Sequence, residues 1–239
     1  MGNELEVISF LIKNIKKIKL PKLGKIRKVT IIGSNSESNA HKKADVYIND
    51  KGISIKQTGP SFSFNRLQRI SLYNILNFCK NERLSDVITN IDGKIDKYHK
   101  GELKNRKIDW TEIFSEEEFK SILKSLMFDI NPLLGESDYK AEYILEAPRI
   151  IEQINDIRIF NFEEYFNKYK NLFKLSIRRQ WIGQNSRTEH KRALHISKQK
   201  QNKEWVYSDV VGQPRSGWKN GFLTEKRKTV YFLMIEKVK

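Results

Sequence analysis

The sequence is poor in cysteine and has no long hydrophobic run. A single thiol, Cys79, excludes an internal disulfide and a multi-cysteine zinc site among the 239 residues. The apolar stretch near the start is too short and too interrupted to span a bilayer, and acids stand where a secretory signal would be basic. These absences predict a soluble protein of a reducing compartment, which we expect to be the cytoplasm.

Several common catalytic fingerprints are also missing. The chain has no Walker phosphate loop, no dinucleotide-binding glycine pattern, no serine nucleophile elbow and no internal repeat. The sequence therefore gives no support to the enzyme classes and repeat folds that depend on those motifs.

Positive charge is what the chain has in excess. Its 45 Lys and Arg against 29 Asp and Glu give a formal net charge of +16. Residues 1–28 hold eight basic residues and two acids, residues 174–239 hold sixteen and five, and the residues between are nearly balanced. Charge that served only solubility would be spread evenly, so this pattern favours nucleic acid as a partner over a merely solvated surface.

Hydrophobic periodicity predicts a mixed α+β fold. A hydrophobic content of 38% can fill a core, and we predict a single domain over residues 1–239. Helical spacing predicts helices over residues 3–16, 65–80, 115–127 and 161–173. Strand patterns occur at 28–32, 44–48, 53–57, 141–145 and 157–160, in the segment that begins at Lys174, and at 205–211 and 229–235. Residues 81–109 show no clear period, with Gly93 and Gly101 expected to break any long element, and the basic region before 205 reads as irregular.

The most informative stretch is KKADVYINDKGISIKQ, from Lys42 to Gln57. Two β-type runs flank Asn-Asp-Lys-Gly, whose residue types suit a tight loop, so the stretch predicts a β-hairpin. If Ile48 faces Ile53 across the loop, Asp45 lies directly opposite Lys56. Side-chain alternation then places Val46, Ile48, Ile53 and Ile55 on a common apolar face.

A carboxylate beside a lysine suits hydrolysis of a phosphodiester. Asp45 can hold a hard divalent cation through oxygen, and Lys56 can position or deprotonate the attacking water. The alternative is a cross-strand ion pair on an exposed hairpin, which contributes only about 0.2–1 kcal/mol.

Side chains suited to nucleic acid follow the hairpin and return in the C-terminal third. The segment QTGPSFSF has small and amide side chains that suit a DNA backbone, and GQPRSGWKNG is rich in Gly, Arg, Gln and Asn. Because Arg and Lys match guanine while Asn and Gln match adenine, base reading and simple phosphate contact both stay open. His190 and His195 lack companions at metal-ligand spacing, so we interpret them as surface or DNA-facing residues. The candidate DNA-binding residues are Gln57, Asn65, Arg66, Gln184, Asn185, Arg187, Gln213, Arg215 and Lys219.

With these residues, the chain resembles the type II restriction endonucleases of the PD-(D/E)xK superfamily. The resemblance rests on Ala44-Asp45, the hairpin and Ser54-Ile55-Lys56, with YKAEYILEAP at 139–148 and the GQPRSGW loop as support. It implies a central mixed β-sheet flanked by helices, with residues 1–173 as the catalytic core and 174–239 as a basic DNA-recognition subregion. It also implies Mg²⁺ as the cofactor, Asp45 as a metal ligand and Lys56 as the lysine beside the water.

Ser54 stands where that family has Glu or Asp. The site therefore lacks one negative charge, although a serine oxygen can still orient a water. Glu37 in the preceding loop, or Glu6 in the first helix, is a candidate for the missing carboxylate. The resulting candidates are Asp45, Ser54, Lys56 and Glu37 for catalysis, of which Asp45, Ser54 and Glu37 are metal ligands.

The resemblance thus predicts an Mg²⁺-dependent, sequence-specific endonuclease that hydrolyses phosphodiester bonds in double-stranded DNA. Palindromic sites suit a protein with twofold symmetry, so we expect a homodimer on DNA. A companion methyltransferase acting on the same sequence is implied as well. Two alternatives stay open: a basic nucleic-acid-binding protein without catalysis, and a nuclease specific for RNA or for a nucleic-acid structure.

Overall fold

A computed structural model describes residues 4–32, 41–59, 62–214 and 217–238, with residues 62–65 described by their backbone alone. The helices are α1 (Glu4–Lys13), α2 (Arg69–Phe78), α3 (Leu84–His99), α4 (Glu116–Lys124), α5 (Phe162–Tyr169) and α6 (Arg187–Ser197). The first strands are β1 (Lys19–Leu20), β2 (Gly24–Lys25), β3 (Val29–Ile31), β4 (Val46–Ile48), β5 (Lys51–Gln57), β6 (Phe62–Leu67) and β7 (Lys107–Asp109). The later strands are β8 (Ile130–Asn131), β9 (Gly135–Glu136), β10 (Tyr143–Ala147), β11 (Arg158–Phe160), β12 (Phe173–Trp181), β13 (Val206–Tyr207) and β14 (Thr229–Lys237). The mixed α+β class is confirmed.

Shorter helical turns join these elements. A π-helical turn, Ser125–Asp129, continues α4, and 3₁₀ turns occupy Trp110–Glu112, Ile154–Asp156, Lys170–Leu172, Lys200–Trp205 and Thr224–Lys226. Within the described ranges, none of the helices has the length and apolar character needed to cross a membrane.

The chain forms two compact units that alternate along the sequence. Unit 1 comprises Met1–Phe62, Lys120–Leu172 and Lys237–Lys239, and unit 2 comprises Ser63–Phe119 and Phe173–Glu236. The chain passes from unit 1 to unit 2 between Leu172 and Phe173, one residue before the predicted boundary between residues 1–173 and 174–239. The single-domain organisation stays a prediction.

Unit 1 is built on a five-stranded mixed sheet with the strand order β11-β10-β5-β4-β3. β5 and β10 run parallel, with Lys56 beside Glu146, whereas the other neighbours are antiparallel. α1 packs against β3 and β5, and α5 packs against β10 and β11. A central mixed sheet flanked by helices is therefore present, as predicted.

The predicted apolar face of the hairpin is confirmed. It packs against α1, whose apolar residues recur at helical spacing and so form one stripe. The buried residues of this contact are Val46, Ile48, Ile53, Ile55, Val7, Ile8 and Leu11. Burial of each large side chain contributes about 1.5–3 kcal/mol, so this contact holds the N-terminal helix firmly on the sheet.

The hairpin loop has two residues rather than four. Asn49 and Asp50 have φ angles of 49° and 64°, the left-handed conformation that a two-residue hairpin turn requires and that Asn and Asp tolerate. Lys51 and Gly52 therefore begin β5. Gly52 is needed there because a Cβ atom would collide with the carbonyl oxygen of Lys140.

The shorter loop changes the register of the hairpin. Val46 pairs with Ile53, so the prediction that Asp45 lies directly opposite Lys56 is wrong by two residues. Because a shift of two residues leaves every side chain on its original face, the apolar face is unaffected.

Unit 2 contains a second sheet, in which β13, β14, β12 and β7 follow one another and β6 also pairs with β14. α6 packs against β12, and α2 and α3 pack against the 3₁₀ turn at 200–205. The buried Trp205 donates its indole N–H to Asp92 at 2.8 Å, and Asp92 also pairs with Arg69. These bonds join α2, α3 and the turn.

Several elements of unit 2 differ from the sequence prediction. Residues 84–99 form α3, and Gly93 lies exposed inside this helix instead of breaking it. Residues 187–197, in the basic region predicted to be irregular, form α6. The Ser186 hydroxyl caps this helix by accepting the N–H of Glu189 at 3.4 Å. The helix predicted over 65–80 begins only at residue 69, and the strand predicted over 205–211 shrinks to two residues. Tertiary packing outweighs weak local propensity in these segments.

Candidate active site

Asp45 lies immediately before β4 and is held by the neighbouring strand. Its N–H donates to the carbonyl oxygen of Ile53 at 2.8 Å, and its Oδ2 accepts the N–H of Ile55 at 2.6 Å. The N–H of Ile55 lies between Ser54 and Lys56 in the chain. The carboxylate is therefore held at the backbone N–H that lies between these two residues, and it does not lie opposite Lys56.

Ser54 and Lys56 are two residues apart on β5, so their side chains leave the same face of the sheet. Lys56 Nζ donates to Ser54 Oγ at 2.8 Å and to the carbonyl oxygen of Ile55 at 3.1 Å. Ser54 is only 3% exposed. The Ser54 hydroxyl thus holds the Lys56 ammonium group beside the N–H of Ile55, to which the Asp45 carboxylate is bonded.

A second carboxylate, Glu4 of α1, is electrostatically coupled to this point. Partial loss of water raises the pKa of Glu4, and the charge of Asp45 raises it further, while Lys56 acts in the opposite direction. Glu4 therefore lies within electrostatic range of both residues. It lies in the first turn of α1 and is an exposed residue, like Glu6 in the same turn.

Glu4 is not among the acids that the sequence predicts for this role. The predicted sources of the second carboxylate are Glu37 and Glu6, whereas the acid whose pKa is raised, first by burial and then by the charge of Asp45, is Glu4. Glu37 lies outside the described residues. Glu6 is an exposed residue of the first turn of α1.

Lys43 is a further cation of the site that sequence reasoning missed. Its side chain is 9% exposed, and Nζ donates to the carbonyl oxygen of Leu126 at 2.9 Å, in the π-helical turn. Burial lowers the pKa of Lys43 to about 8, the charge of Lys56 lowers it as well, and Asp129 opposes this. Two lysines thus contribute positive charge near Asp45.

Glu146 lies beside Lys56 in the sheet but is already occupied by other partners. It is fully buried, and the hydroxyl of Tyr169 donates to its Oε2 at 2.6 Å. Lys237 and Lys168 lie 3.5 Å and 3.7 Å from its carboxylate oxygens. We therefore interpret Glu146 as a buried counter-charge that binds β10 to α5 and to the end of β14.

The oxygen donors of the site fit a hard divalent cation. Asp45, Glu4 and Ser54 offer two carboxylates and a hydroxyl, whereas zinc prefers nitrogen and sulfur. Mg²⁺ retains several waters and is often held by one or two carboxylates, so the chemistry of these donors suits it. In the described part of the chain, no group of three or more His, Cys, Asp or Glu is placed to hold a metal ion.

The two C-terminal segments with predicted DNA-binding residues are brought together. Gln184 forms a β-bridge with Trp218, and Lys219 donates its N–H to the carbonyl oxygen of Gly183 at 2.6 Å. His190 accepts the N–H of Gly183 at 2.8 Å. Burial, with Lys219, lowers the pKa of His190, which suits its role as a neutral acceptor.

The remaining predicted DNA-binding residues are dispersed. Gln57 ends β5 in unit 1, Arg187 begins α6 as an exposed residue, and Gln213 is exposed in the loop before β14. The side chain of Asn65 and the whole of Arg215 lie outside the described residues.

Two arginines that the sequence prediction did not select lie beside the joined segments. Arg179 lies over the ring of Trp181 at 4.7 Å, and Arg227 lies over the ring of Trp218 at 4.8 Å. The two tryptophans meet edge to face. This cluster combines two guanidinium groups with two indole rings, of which that of Trp181 is buried.

Comparisons with protein-family models, with curated proteins and with solved structures found no match to this chain. The grounds for a functional assignment are therefore the geometry of Asp45, Ser54, Lys56 and Glu4 and the distribution of charge.

Proposed function

We propose that this protein is an Mg²⁺-dependent, sequence-specific endonuclease of double-stranded DNA, of the PD-(D/E)xK type. The observation that carries the proposal is the bond from the Ile55 N–H to Asp45, which gathers a carboxylate, a hydroxyl and an ammonium group at one point. In this proposal Glu4, whose pKa is raised by burial and by the charge of Asp45, takes the role of the carboxylate that Ser54 replaces.

Each residue has a defined task in this chemistry. Asp45, Glu4 and Ser54 would hold Mg²⁺, which supplies positive charge at the scissile phosphate. Lys56, anchored by Ser54, orients the water that attacks phosphorus in line and stabilises the negative charge that develops. Lys43 strengthens the positive potential that draws the phosphate towards these groups.

The charge distribution supports DNA as the substrate. The C-terminal 66 residues hold eleven of the sixteen net positive charges, and the segments around Gln184 and Lys219 lie together within them. A homodimer on a palindromic site and a companion methyltransferase belong to the same proposal. The compartment proposed is the cytoplasm.

The decisive experiment is digestion of a long natural duplex DNA with Mg²⁺ and with EDTA. The unmodified chain should give discrete metal-dependent fragments, while Asp45→Asn and Lys56→Ala should give none and still bind DNA. Asp50→Asn is the matched control, because Asp50 lies at the opposite end of the same hairpin and Asn tolerates its positive φ. Near-normal cleavage by the Lys56 variant would remove that residue from the mechanism.

Binding to nucleic acid without cleavage is the second candidate function. It is favoured by the lack of a three-acid cluster among the residues that the structure describes. It predicts a salt-sensitive shift of DNA in a gel, equal for the unmodified chain and for Asp45→Asn, with no product in Mg²⁺.

A further inference from the structure

Helix α6 of unit 2 carries positive charge on one exposed face. Arg187, Lys191 and Lys198, the last at its C-terminal end, are exposed and lie within about 40° of one another around the helix axis. The same face exposes Thr188, Leu194 and His195. Ala193 and Ile196, on the opposite side, are buried. These six exposed residues form what we call the basic face, and the apolar side of α6 packs into unit 2.

The three cations of the basic face have no acidic partner. Within the ranges that the structure describes, none of them forms an ion pair with a carboxylate. Glu189, the acid of α6, lies on the other side of the helix, where it pairs with Arg192 at 3.0 Å and with Arg66 at 3.6 Å. Like charges one turn apart repel each other along a helix, so the basic face gains from contact with a polyanion.

Both ends of α6 are fastened to the rest of unit 2. Near its start, His190 accepts the N–H of Gly183 at 2.8 Å. At its end, the fully buried Asn202 donates to the carbonyl oxygen of Ile196 at 3.4 Å and accepts the N–H of Ile70, in α2, at 3.0 Å. The basic face is therefore held on a fixed element, as a contact with defined atoms of a ligand requires.

The dimensions of the basic face match the major groove of duplex DNA. α6 has 11 residues and so a length of about 16 Å, and the groove is about 12 Å wide and admits an α-helix. A helix lying across the groove brings Arg187 and Lys198, near its two ends, to the phosphates, and Lys191, between them, to the base edges. Lysine donates to guanine O6 and N7, and Leu194, which is 36% exposed, suits contact with a thymine methyl group.

We propose that α6 lies in the major groove of duplex DNA, with Lys191 at the base edges and Arg187 and Lys198 at phosphates. The inference rests on the proposed function, from which it takes duplex DNA as the ligand, and it adds the element that reads the sequence. Duplex RNA has a deep, narrow major groove that side chains do not read, so this mode of binding is restricted to DNA.

Binding in EDTA tests the inference without cleavage. The ligand is a labelled DNA duplex enriched from a random-sequence pool by repeated binding to the full chain, compared with duplex RNA of the same sequence. By fluorescence anisotropy, Lys191→Ala should weaken binding to the DNA by roughly fivefold or more and to the RNA by no more than about twofold. Alanine is a better helix former than lysine, so α6 stays intact in this variant.

Lys97→Ala is the matched control, because it removes an exposed lysine from α3, another helix of unit 2. It should leave binding to both duplexes within about twofold. Equal weakening of DNA and RNA binding by Lys191→Ala would make the basic face a phosphate contact alone and overturn the inference.

Methylation interference identifies the groove. Dimethyl sulfate methylates guanine N7, which lies in the major groove, and adenine N3, which lies in the minor groove. DNA bound by the unmodified chain should be depleted of methylated guanine at defined positions, and Lys191→Ala should lose the depletion at one of them. Depletion of methylated adenine alone, or a Lys191 variant that binds like the unmodified chain, would overturn the inference while leaving the proposed endonuclease intact. Failure of the unmodified chain to bind any duplex would overturn both.

Discussion

Glu4 is the residue on which the completeness of the proposed metal site depends. It lies in the first turn of α1, and partial burial, followed by the charge of Asp45, raises its pKa. A carboxylate held against a like charge is poised to gain from a divalent cation between them.

Glu4→Gln should therefore reduce Mg²⁺-dependent cleavage by at least about tenfold, since loss of one ligand weakens both the metal and the charge stabilisation. Without Mg²⁺, the urea midpoint of the variant should equal or exceed that of the unmodified chain, because repulsion from Asp45 is removed. Initial cleavage rates across a range of Mg²⁺ concentrations measure the first effect. Glu6→Gln is the control, and a larger loss of cleavage in that variant would return the role to Glu6.

At the scale of elements, the hairpin turn is held by one side chain. Asn49 Oδ1 accepts the N–H groups of Arg27 and Lys28 at 2.8 Å and 3.2 Å. Its Nδ2 donates to the carbonyl oxygens of Leu23 and Lys25 at 3.1 Å and 2.8 Å. The turn that sets the register of β4 and β5 is thereby tied to the segment preceding β3.

Asn49→Ala should lower the free energy of unfolding by roughly 2–4 kcal/mol, because it removes these bonds and places alanine at positive φ. Asn49→Gly loses the same bonds without the backbone strain, so it should be about 1 kcal/mol less harmful. Urea denaturation of both variants measures the two contributions. Equal stability of the glycine and alanine variants would contradict a left-handed Asn49.

The beginning of α4 offers a prediction with a defined pH dependence. Ser115 and Glu118 form the predicted capping box, with the Ser115 N–H donating to Glu118 at 2.7 Å. Bonds from Arg83, then from Ser115 and Asn81, lower the pKa of Glu118 from 4.5 to about 2. Since the folded-state pKa is depressed, this stabilisation is complete above about pH 4.5 and is lost as pH falls towards 2.

Glu118→Gln should accordingly lower the free energy of unfolding at neutral pH by roughly 2 kcal/mol. This value is smaller than the full pKa shift implies, because solvent screens the exposed guanidinium of Arg83. The difference between variant and unmodified chain should shrink between about pH 4.5 and pH 2, as measured by urea midpoints. Glu117→Gln, at an exposed position of the same turn, is the control and should change the free energy of unfolding at neutral pH by no more than about 0.5 kcal/mol. A constant difference at all pH values would contradict the depressed pKa.

At the scale of the whole molecule, the net charge of +16 governs binding to polyanions. If the chain neutralises six or more phosphates, its affinity for duplex DNA should fall by roughly a thousandfold or more between about 50 and 200 mM salt. Fluorescence anisotropy of a labelled duplex measures this slope. Arg187→Ala, which removes one exposed basic side chain, should reduce the slope by about one if it contacts phosphate. An affinity that does not change with salt would contradict nucleic acid as the partner.

Features that depend on residues a few positions apart are predictable from this sequence, whereas features that depend on distant segments are not. The apolar face of the hairpin and the capping boxes at Ser115 and Asn161 are confirmed, because they depend on residues a few positions apart. α3 was not predicted, since its charged residues obscure the stripe formed by Val87, Ile91 and Ile95.

By itself, the sequence determined the mixed α+β class, the hairpin with its buried face, and the basic excess at both ends. Only the tertiary structure decided the register of the hairpin and the electrostatic coupling of Glu4 and Lys43 to Lys56. It also decided that the segments around Gln184 and Trp218 meet. The physical reason is that local patterns specify which face of an element is apolar, whereas the partner of a polar side chain is set by the packing of segments distant in the chain.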